Sequence, residues 1–204
     1  MLKELRPALV MVAAMTVLTG LAYPLTVTGL AQIAFPWQAK GSLIESGGQV
    51  VGSALIGQSF TGPAYVWGRP SATVATDPAD PTKTVSAPYN AASSGGSNLA
   101  PSSQALIDGV TQAVATIRAA HPDQTGPVPV DLVTASSSGL DPDISPAAAL
   151  WQAGRIAQVR HAPVEDVKAL MIRHIEGRLL GILGEPRVNV LRLNLALDER
   201  WPMK

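Results

Sequence analysis

The 204-residue chain has no cysteine, and only 4% of its residues are aromatic. The absence of cysteine excludes a disulfide framework, a thiolate metal site and a cysteine nucleophile. Fifteen basic and fifteen acidic side chains cancel, so the chain has no overall charge that would attract nucleic acid, and no nucleic-acid partner is expected. The sequence contains no Gly-Lys pair, which excludes the phosphate-binding loop of P-loop NTPases.

Charged residues are also missing from one long stretch near the amino end. From Pro7 to Ala39 the only ionisable side chain is that of Tyr23. About 20 apolar residues suffice for a helix to cross the hydrocarbon core of a bilayer. Residues 8–30 are therefore predicted to form a single transmembrane span, and Pro24 is expected to kink it.

The charges that flank this span predict its orientation. Lys3 and Arg6 precede it, and only Lys40 follows it closely. Basic residues are enriched on the cytoplasmic side of membrane spans. We therefore expect the amino end in the cytoplasm, a transmembrane anchor in residues 1–36 and an extracytoplasmic domain in residues 37–204.

A cleaved signal peptide is the alternative, because Gly20 and Ala22 resemble a small-x-small cleavage site. Apolar character continues past Ala22 as far as Phe35, which is longer than a signal peptide requires. The retained anchor is therefore favoured, and both interpretations export the residues that follow the apolar stretch.

The pattern of apolar residues in the exported part predicts an α+β domain. Residues 48–60 are rich in Val, Ile and Gly, residues 128–133 alternate apolar and polar side chains, and residues 187–201 carry apolar side chains on two phases. The first segment is predicted as one or two short strands with a turn, the second as a strand, and the last as a strand with a bulge or bend. Residues 75–101 are so rich in Pro, Gly, Ser, Asp and Asn that they predict a long loop, either disordered or functional at a surface.

Two amphipathic helices are predicted from spacing. The first begins after Ser102 or Ser103 and ends before Pro122, and the second covers residues 163–181. The apolar stripe of the first consists of Leu106, Val110, Val114 and Ile117. The buried side of the second is predicted to include Val167, Leu170, Met171, His174 or Ile175, and Arg178 or Leu179.

A third helix is predicted directly after the sequence SSSGLDPDISP, residues 136–146. The Ser145 hydroxyl can accept a free first-turn N–H, and Pro146 suits a position whose N–H lacks a helical partner. Asp141 and Asp143 precede the positive end of this helix and would be stabilised there. The serines and aspartates therefore predict a helix cap and its flanking loop rather than a catalytic centre.

The sequence carries no recognisable catalytic or metal-binding pattern. The G-x-S-x-G motif of serine hydrolases is absent, and the spacing of His121, His161 and His174 does not indicate a catalytic base. Asp141 and Asp143 offer fewer oxygen ligands than a calcium ion needs. We expect no metal site, cofactor or catalytic residue of the chain's own. An anchored extracytoplasmic serine hydrolase and a free-standing binding module stay open as alternatives.

Five sequence segments carry a more specific resemblance. In order they are GQSF, WGRPSA, YNAASSGGSNLAPSS, TASSSGLDPDISPAAALWQAGR and VNVLRLNLALD, all behind one amino-terminal span. Together they closely resemble the C subunit of the Kdp potassium-transporting P-type ATPase. The resemblance implies a single-pass protein of the cell inner membrane, in a complex with a P-type ATPase subunit, a channel-like potassium-binding subunit and a small single-span subunit. That complex would handle ATP, Mg²⁺ and potassium.

The resemblance also implies a role. The C subunit is needed for assembly, and it is proposed to act as a catalytic chaperone that raises the ATP affinity of the ATPase subunit. Gln152 matches the glutamine of the proposed nucleotide contact, but the charges around the span place Gln152 outside the cytoplasm. The chain lacks the D-K-T-G phosphorylation motif and the T-V-G-Y-G potassium filter, in agreement with a non-catalytic accessory role.

Ten residues are candidates for assembly contacts with the other subunits. Two glycines offer small surfaces for helix packing in the span, and the others lie in the predicted loops and the acidic stretch before residue 150. They are Gly20, Gly29, Arg69, Tyr89, Asn90, Gly95, Gly96, Asn98, Asp141 and Asp143. We expect the exported loops to dock on the channel-like subunit, over its potassium entrance.

Overall fold

A computed structural model describes residues 2–203, and the amino-terminal part of the chain is one long helix. An α-helix α1 (Leu2–Met15), a π-helical segment (Thr16–Ala22) and an α-helix α2 (Tyr23–Ala34) follow one another without a break. The 32 residues from Lys3 to Ala34 have the length and apolar composition of a membrane-spanning helix. At 1.5 Å per residue they measure about 48 Å, longer than the hydrocarbon core of about 30 Å.

The π-helical segment lies directly before Pro24, where a kink is expected. A proline inside an α-helix has no N–H to donate, and its ring clashes with the carbonyl four residues earlier, here that of Gly20. In the structure the Tyr23 N–H donates to the Leu18 carbonyl, five residues earlier. The wider turns of the π-helix thus absorb the proline within a continuous helix.

A short helix and a hairpin follow the long helix. They are α3 (Pro36–Ala39), β1 (Leu43–Ser46) and β2 (Gln49–Ser53), with β1 and β2 antiparallel. Gly47 and Gly48 form the turn and both have positive φ, as a two-residue hairpin turn requires. Of the one or two short strands predicted in residues 48–60, the structure forms one, β2, and its partner β1 lies before the predicted range.

The chain separates into two compact units, and the division falls between Ser53 and Ala54. The second unit begins with the antiparallel strands β3 and β4, and continues with five α-helices and one 3₁₀ helix around a small sheet. Strand β3 starts one residue before the predicted loop of residues 75–101, and β4 lies inside it. Its elements are β3 (Val74–Thr76), β4 (Thr84–Ser86), α4 (Gln104–Ala120), a 3₁₀ helix (Val130–Leu132), β5 (Asp143–Ile144), α5 (Pro146–Trp151), α6 (Ala153–Val159), α7 (Val164–Arg173), β6 (Ile175–Glu176), β7 (Arg187–Asn189) and α8 (Val190–Arg200). Together with the long amino-terminal helix, these elements confirm a mixed α and β architecture.

The core of the second unit lies where α5, α6, α7 and α8 meet the three-stranded antiparallel sheet, whose order is β5-β7-β6. Small residues such as Ala148, Ala149 and Ala153 let the helices approach closely and are fully buried. Burying each large aliphatic side chain stabilises the fold by about 1.5–3 kcal/mol. The large apolar core residues include Val66, Leu132, Ile144, Ile156, Val167, Met171, Val188, Leu193 and Leu197.

The predicted strand at residues 128–133 is wrong, because the structure has a 3₁₀ turn there. Pro129 fixes its own φ and cannot donate to a strand ladder. The Thr134 hydroxyl donates to the Val130 carbonyl (2.8 Å), and the Asp131 carboxylate accepts from the Ser145 N–H (2.6 Å). Within the turn, the Leu132 and Val133 N–H groups donate to the Pro129 and Val130 carbonyls, both at 3.1 Å, so these groups do not pair with a neighbouring strand.

The predicted strand at residues 187–201 is mostly wrong, because only Arg187–Asn189 is a strand and the rest is helix α8. The leucines alternate, but Val190, Leu193 and Leu197 also recur at helical spacing, and all three are buried. Asn189 caps the helix by accepting from the Arg192 N–H at 3.1 Å. The Asn189 cap and the buried helical stripe therefore favour a helix over the strand that the alternating leucines predicted.

The predicted helix over residues 163–181 is correct at its start but too long. Val167, Leu170 and Met171 are buried as predicted, and α7 ends at Arg173. Residues 175–176 then pair with β7, which interrupts the helical hydrogen bonds. The predicted burial of Arg178 or Leu179 is wrong, since both are exposed.

Candidate functional site

Residues 63–67 enter the core of the second unit without forming a strand. Within this stretch, here called the core segment, Val66 and Ala64 are buried. Buried backbone N–H and C=O groups need hydrogen-bond partners. Four polar side chains supply these partners. Arg155 lies in α6 and Asn194 in α8, whereas Gln152 directly follows α5 and Arg160 directly follows α6.

Gln152 holds Trp67 by two hydrogen bonds. Its amide oxygen accepts from the Trp67 N–H (2.9 Å), and its amide nitrogen donates to the Trp67 carbonyl (3.0 Å). The same oxygen accepts from Arg155 (2.8 Å), and the nitrogen also donates to the Ala148 carbonyl (3.3 Å). The side chain is 0% exposed. A nucleotide contact at Gln152 stays a prediction, and it would require breaking these internal bonds.

Asn194 holds the preceding residue in the same way. Its amide oxygen accepts from the Val66 N–H (2.8 Å), and its amide nitrogen donates to the Val66 carbonyl (3.0 Å). Arg160 donates to the Ala64 carbonyl (2.8 Å) and forms an ion pair with Asp198 (2.8 Å). Helices on two sides of the core segment therefore fix its position.

Arg155 is the most heavily bonded of these side chains. Its guanidinium donates to the carbonyls of Pro63 and Tyr65 and to the His121 Nε2 atom, the last at 2.9 Å. It also lies 4.4 Å from the centre of the Trp67 ring, at cation–π distance. Burial lowers the pKa of Arg155 to about 10, so the side chain stays positively charged at neutral pH.

The bond from Arg155 fixes the protonation of His121. A guanidinium only donates, so His121 Nε2 accepts, and the ring proton lies on Nδ1, which is 2.7 Å from the Ile117 carbonyl. Burial lowers the pKa of His121, the Arg155 charge lowers it further, and the Ile117 carbonyl partly opposes both. His121 is therefore neutral and structural, with both ring nitrogens occupied.

Sequence reasoning missed Arg155, Arg160 and Asn194. Arg155 and Asn194 lie on the buried sides of α6 and α8, and Arg160 is a buried residue directly after α6. Such polar residues are seldom buried unless paired. A polar residue in the apolar stripe of α6 or α8 was the signal that could have revealed Arg155 and Asn194.

A second group of polar contacts lies where three loops meet. This loop cluster consists of residues 69–73, 87–96 and 134–143. Tyr89 is at its centre, where its hydroxyl donates to the Arg69 carbonyl (2.6 Å) and its N–H donates to the Ser71 hydroxyl (2.9 Å). Burial and the charge of Asp141 raise the pKa of Tyr89 to about 12. The phenol is therefore an uncharged structural donor.

Tyr89 has a φ of 59°, a strained conformation for a bulky residue. Its ring occupies space that Gly57 and Gly68 leave open, because a Cβ atom at either glycine would collide with it. The three residues pack closely against one another, so the surrounding contacts hold Tyr89 in this strained conformation.

Asp141 and Asp143 both take part in ion pairs at one edge of the loop cluster. Arg69 pairs with Asp141 at 3.1 Å, and Arg187 pairs with Asp143 at 3.0 Å. Burial raises the pKa of Asp143, and Arg187 and the Asn189 amide oppose that shift. The two aspartates thus connect the loop cluster to the sheet rather than forming a separate ligand set.

The other loop candidates differ in their surroundings. The Asn90 side chain donates to the Val74 carbonyl (2.8 Å), and the Gly95 N–H donates to the Ser138 carbonyl (2.9 Å). Gly96 lies against the backbone of Ser137. Asn98 is exposed. The predicted loop is therefore attached to the domain at several points before it reaches Asn98.

The structure places Ser145 at the N-cap of α5, where its hydroxyl accepts from the Ala148 N–H at 3.1 Å, and Pro146 is the first residue of the helix. The Asp131 carboxylate accepts from both the N–H (2.6 Å) and the hydroxyl (3.2 Å) of Ser145. Ser145 therefore caps α5 and also connects it to the 3₁₀ turn that contains Asp131.

Gly20 and Gly29 lie in the long amino-terminal helix, where Gly20 is exposed and Gly29 is half-buried. Gly20 belongs to the π-helical segment and Gly29 to α2. The packing of either glycine against a partner helix stays a prediction.

Within residues 2–203, no group of three or more acidic or histidine side chains is arranged to hold a metal ion. In the same residues the ring nitrogens of His121 and His174 are hydrogen bonded to main-chain carbonyls of their own helices. The Nε2 atom of His121 also accepts from Arg155, so both ring nitrogens of His121 are occupied and it has no nitrogen left to act as a catalytic base.

The family model described as "KdpC: K+-transporting ATPase, c chain" matches residues 5–199. The chain belongs to the KdpC family. The match covers both the long amino-terminal helix and the α/β unit, so it includes the core segment and the loop cluster.

Individual members of the KdpC family are similar to this chain over almost their full length. The potassium-transporting ATPase KdpC subunit of Rhodopseudomonas palustris (strain ATCC BAA-98 / CGA009) is 62% identical over 202 residues, 99% of this chain and 100% of the relative. The KdpC subunit of Methylobacterium nodulans is 63% identical over 199 residues, 98% of each chain. The KdpC subunit of Bradyrhizobium diazoefficiens is 61% identical over 198 residues, 97% of this chain and 98% of the relative.

The motifs that carry the KdpC resemblance contribute the contacts described above. WGRPSA supplies Trp67 and Arg69, the serine-rich motif that ends in WQAGR supplies Gln152 and Arg155, and VNVLRLNLALD supplies Asn194. In this KdpC chain, the motif residues therefore bind one another within the second unit.

Proposed function

We propose that this chain is the non-catalytic, membrane-anchored subunit of a potassium-transporting ATPase. The observation that carries the proposal is the match to the KdpC family over residues 5–199, together with 62% identity to a KdpC subunit along its whole length. The long apolar helix supports a membrane location, since none of residues 3–34 is buried against the rest of the protein.

The proposed complex also contains a P-type ATPase subunit, a channel-like potassium-binding subunit and a small single-span subunit. ATP, Mg²⁺ and potassium are bound by those partners, and this chain contributes to assembly. Its effect on the ATP affinity of the ATPase subunit is proposed to act through assembly and shared conformational states. The internal hydrogen bonds of Gln152 support this indirect route, because they occupy both polar atoms of the amide.

The second unit is proposed to lie outside the cytoplasm of a cell inner membrane that the chain crosses once. Lys3 and Arg6 before the span support this orientation. The loop cluster is the proposed docking surface for the channel-like subunit. It combines partly exposed polar groups with a strained tyrosine, as functional surfaces often do.

Cysteine labelling tests the orientation, because the natural chain has no cysteine of its own. Val130→Cys places a thiol at an exposed position of the second unit, and Glu4→Cys places one before the span. In intact spheroplasts, a membrane-impermeant maleimide is expected to label the thiol at position 130 and to spare that at position 4. Labelling of position 4 alone would reverse the proposed orientation.

Affinity purification tests the proposed complex. The tagged full-length chain is extracted in mild detergent after potassium limitation, and the retained proteins are identified by mass spectrometry. We expect a P-type ATPase subunit and a channel-like subunit in amounts equal to that of this chain. Recovery of this chain alone, from cells shown to produce those subunits, would contradict the proposal and favour a free-standing binding module. Labelling of one of its serines by an activity-based probe would favour a hydrolase.

A further inference from the structure

Four large aliphatic side chains protrude together from the loop between β6 and β7. Residues 177–184, here called the aliphatic tip, contain Leu179, Leu180, Ile182 and Leu183, and all four are exposed. Leu180 is 83% exposed and Ile182 is 75% exposed. Contiguous exposed apolar side chains mark binding surfaces for proteins or membranes.

The backbone of the aliphatic tip is largely satisfied by internal hydrogen bonds. Leu179 and Leu183 exchange two bonds of 2.9 and 3.0 Å, the Gly181 N–H donates to the Arg178 carbonyl at 3.0 Å, and the Ile182 N–H donates to the Leu179 carbonyl at 3.2 Å. An unsatisfied backbone group costs several kcal/mol in hydrocarbon. A tip closed on itself in this way can enter an apolar medium at lower cost.

The residues around the tip are basic. Residues 173–192 contain four arginines and two glutamates. Arg178 pairs with Glu185 at the base of the tip (2.7 Å), and Arg187 pairs with both Glu176 (3.0 Å) and Asp143 (3.0 Å). Both arginines are exposed enough to contact an anionic surface as well. An apolar tip with a basic base complements a lipid surface that has anionic headgroups over hydrocarbon.

The composition of the tip favours lipid over a protein partner. Protein interfaces concentrate their binding energy in Trp, Tyr and Arg, and leucine is under-represented at such positions. The tip holds three leucines, one isoleucine and no aromatic residue, and its single arginine, Arg178, is paired with Glu185. The chain also carries its own candidate membrane span, which keeps the second unit close to a bilayer whichever side it occupies.

We infer that the aliphatic tip inserts into the surface of an anionic bilayer, as a second membrane contact of this chain. Leu180 and Ile182 enter the hydrocarbon, and Arg178 and Arg187 lie at the headgroups. The inference does not depend on the proposed partners or on the proposed orientation, because lipid is present on both sides of the membrane.

Fluorescence quenching by spin-labelled lipids tests the inference. The full-length chain, with the subunits that copurify with it, is reconstituted into nanodiscs of phosphatidylglycerol and phosphatidylcholine. A bimane label is attached at Leu180→Cys or at Ile182→Cys. The matched control is Ile107→Cys, since Ile107 is a 50% exposed aliphatic residue on helix α4 of the same unit. The cysteine-free parent chain reports background labelling of the other subunits.

The expected result is quenching at positions 180 and 182 by nitroxides on the upper acyl chain, and none at position 107. Quenching at 180 and 182 no stronger than at 107 would overturn the inference. A photo-crosslinker at position 180 provides a second measurement: an adduct with lipid supports insertion, and an adduct with another subunit overturns it. Near-ultraviolet circular dichroism matching that of the parent chain confirms that each variant is folded.

Discussion

Replacing Arg155 with methionine is expected to destabilise the second unit by about 3–4 kcal/mol, because several acceptors lose their donor at once. The guanidinium donates to the carbonyls of Pro63 and Tyr65, to the Gln152 amide oxygen and to the His121 ring. Methionine keeps most of the apolar stem but has no N–H to donate. Each buried acceptor left unpaired costs about 1–3 kcal/mol, and removing a buried cation recovers part of its desolvation cost.

Urea unfolding of the full-length chain in mild detergent, followed by tryptophan fluorescence, measures this effect. The matched control is Arg173→Met, because Arg173 is an exposed arginine of α7 and its replacement should change the free energy of unfolding by less than about 0.5 kcal/mol. Arg155→Lys should also be destabilised, since an ammonium lacks the planar fork that reaches several acceptors. Wild-type stability in Arg155→Met would show that other groups hold the core segment.

Replacing Gln152 with leucine is expected to cost about 2–4 kcal/mol, because the N–H and the carbonyl of Trp67 both lose their partner. Leucine fills a similar volume without a polar atom. Gln158→Leu is the matched control, since Gln158 is an exposed glutamine of α6. The same urea experiment compares the two variants, and equal stability would contradict the structural role assigned to Gln152.

The pair of glutamine variants also bears on the proposed effect on ATP affinity. If Gln152 acts through the fold, the Gln152→Leu variant should lose stability, and the amount of complex recovered by affinity purification should fall with it. Normal stability and normal complex recovery with a raised KM for ATP would instead indicate a direct nucleotide contact. The two roles of this residue are therefore separated by one stability measurement and one kinetic measurement.

The sequence was sufficient to predict the features that depend on local chemistry. The uncharged run after Pro7 predicted the long helix, since length and hydropathy alone decide whether a helix can cross a bilayer. The stripe of α4 and the Ser145-Pro146 cap of α5 were predicted because a helix start depends on side chains within a few residues of it. The five motifs predicted the family, which the comparison over residues 5–199 confirms.

The tertiary structure decided which polar side chains are structural. Gln152, Arg155 and Asn194 lie 85 to 128 residues along the chain from most of the backbone groups they bind, and no local pattern specifies such partners. The same long-range packing decided that residues 190–200 form a helix, because burial of Val190, Leu193 and Leu197 on one face outweighs the alternation of the leucines. Local sequence determines where helices begin, whereas the pairing of buried polar groups depends on contacts that exist only after the chain has folded.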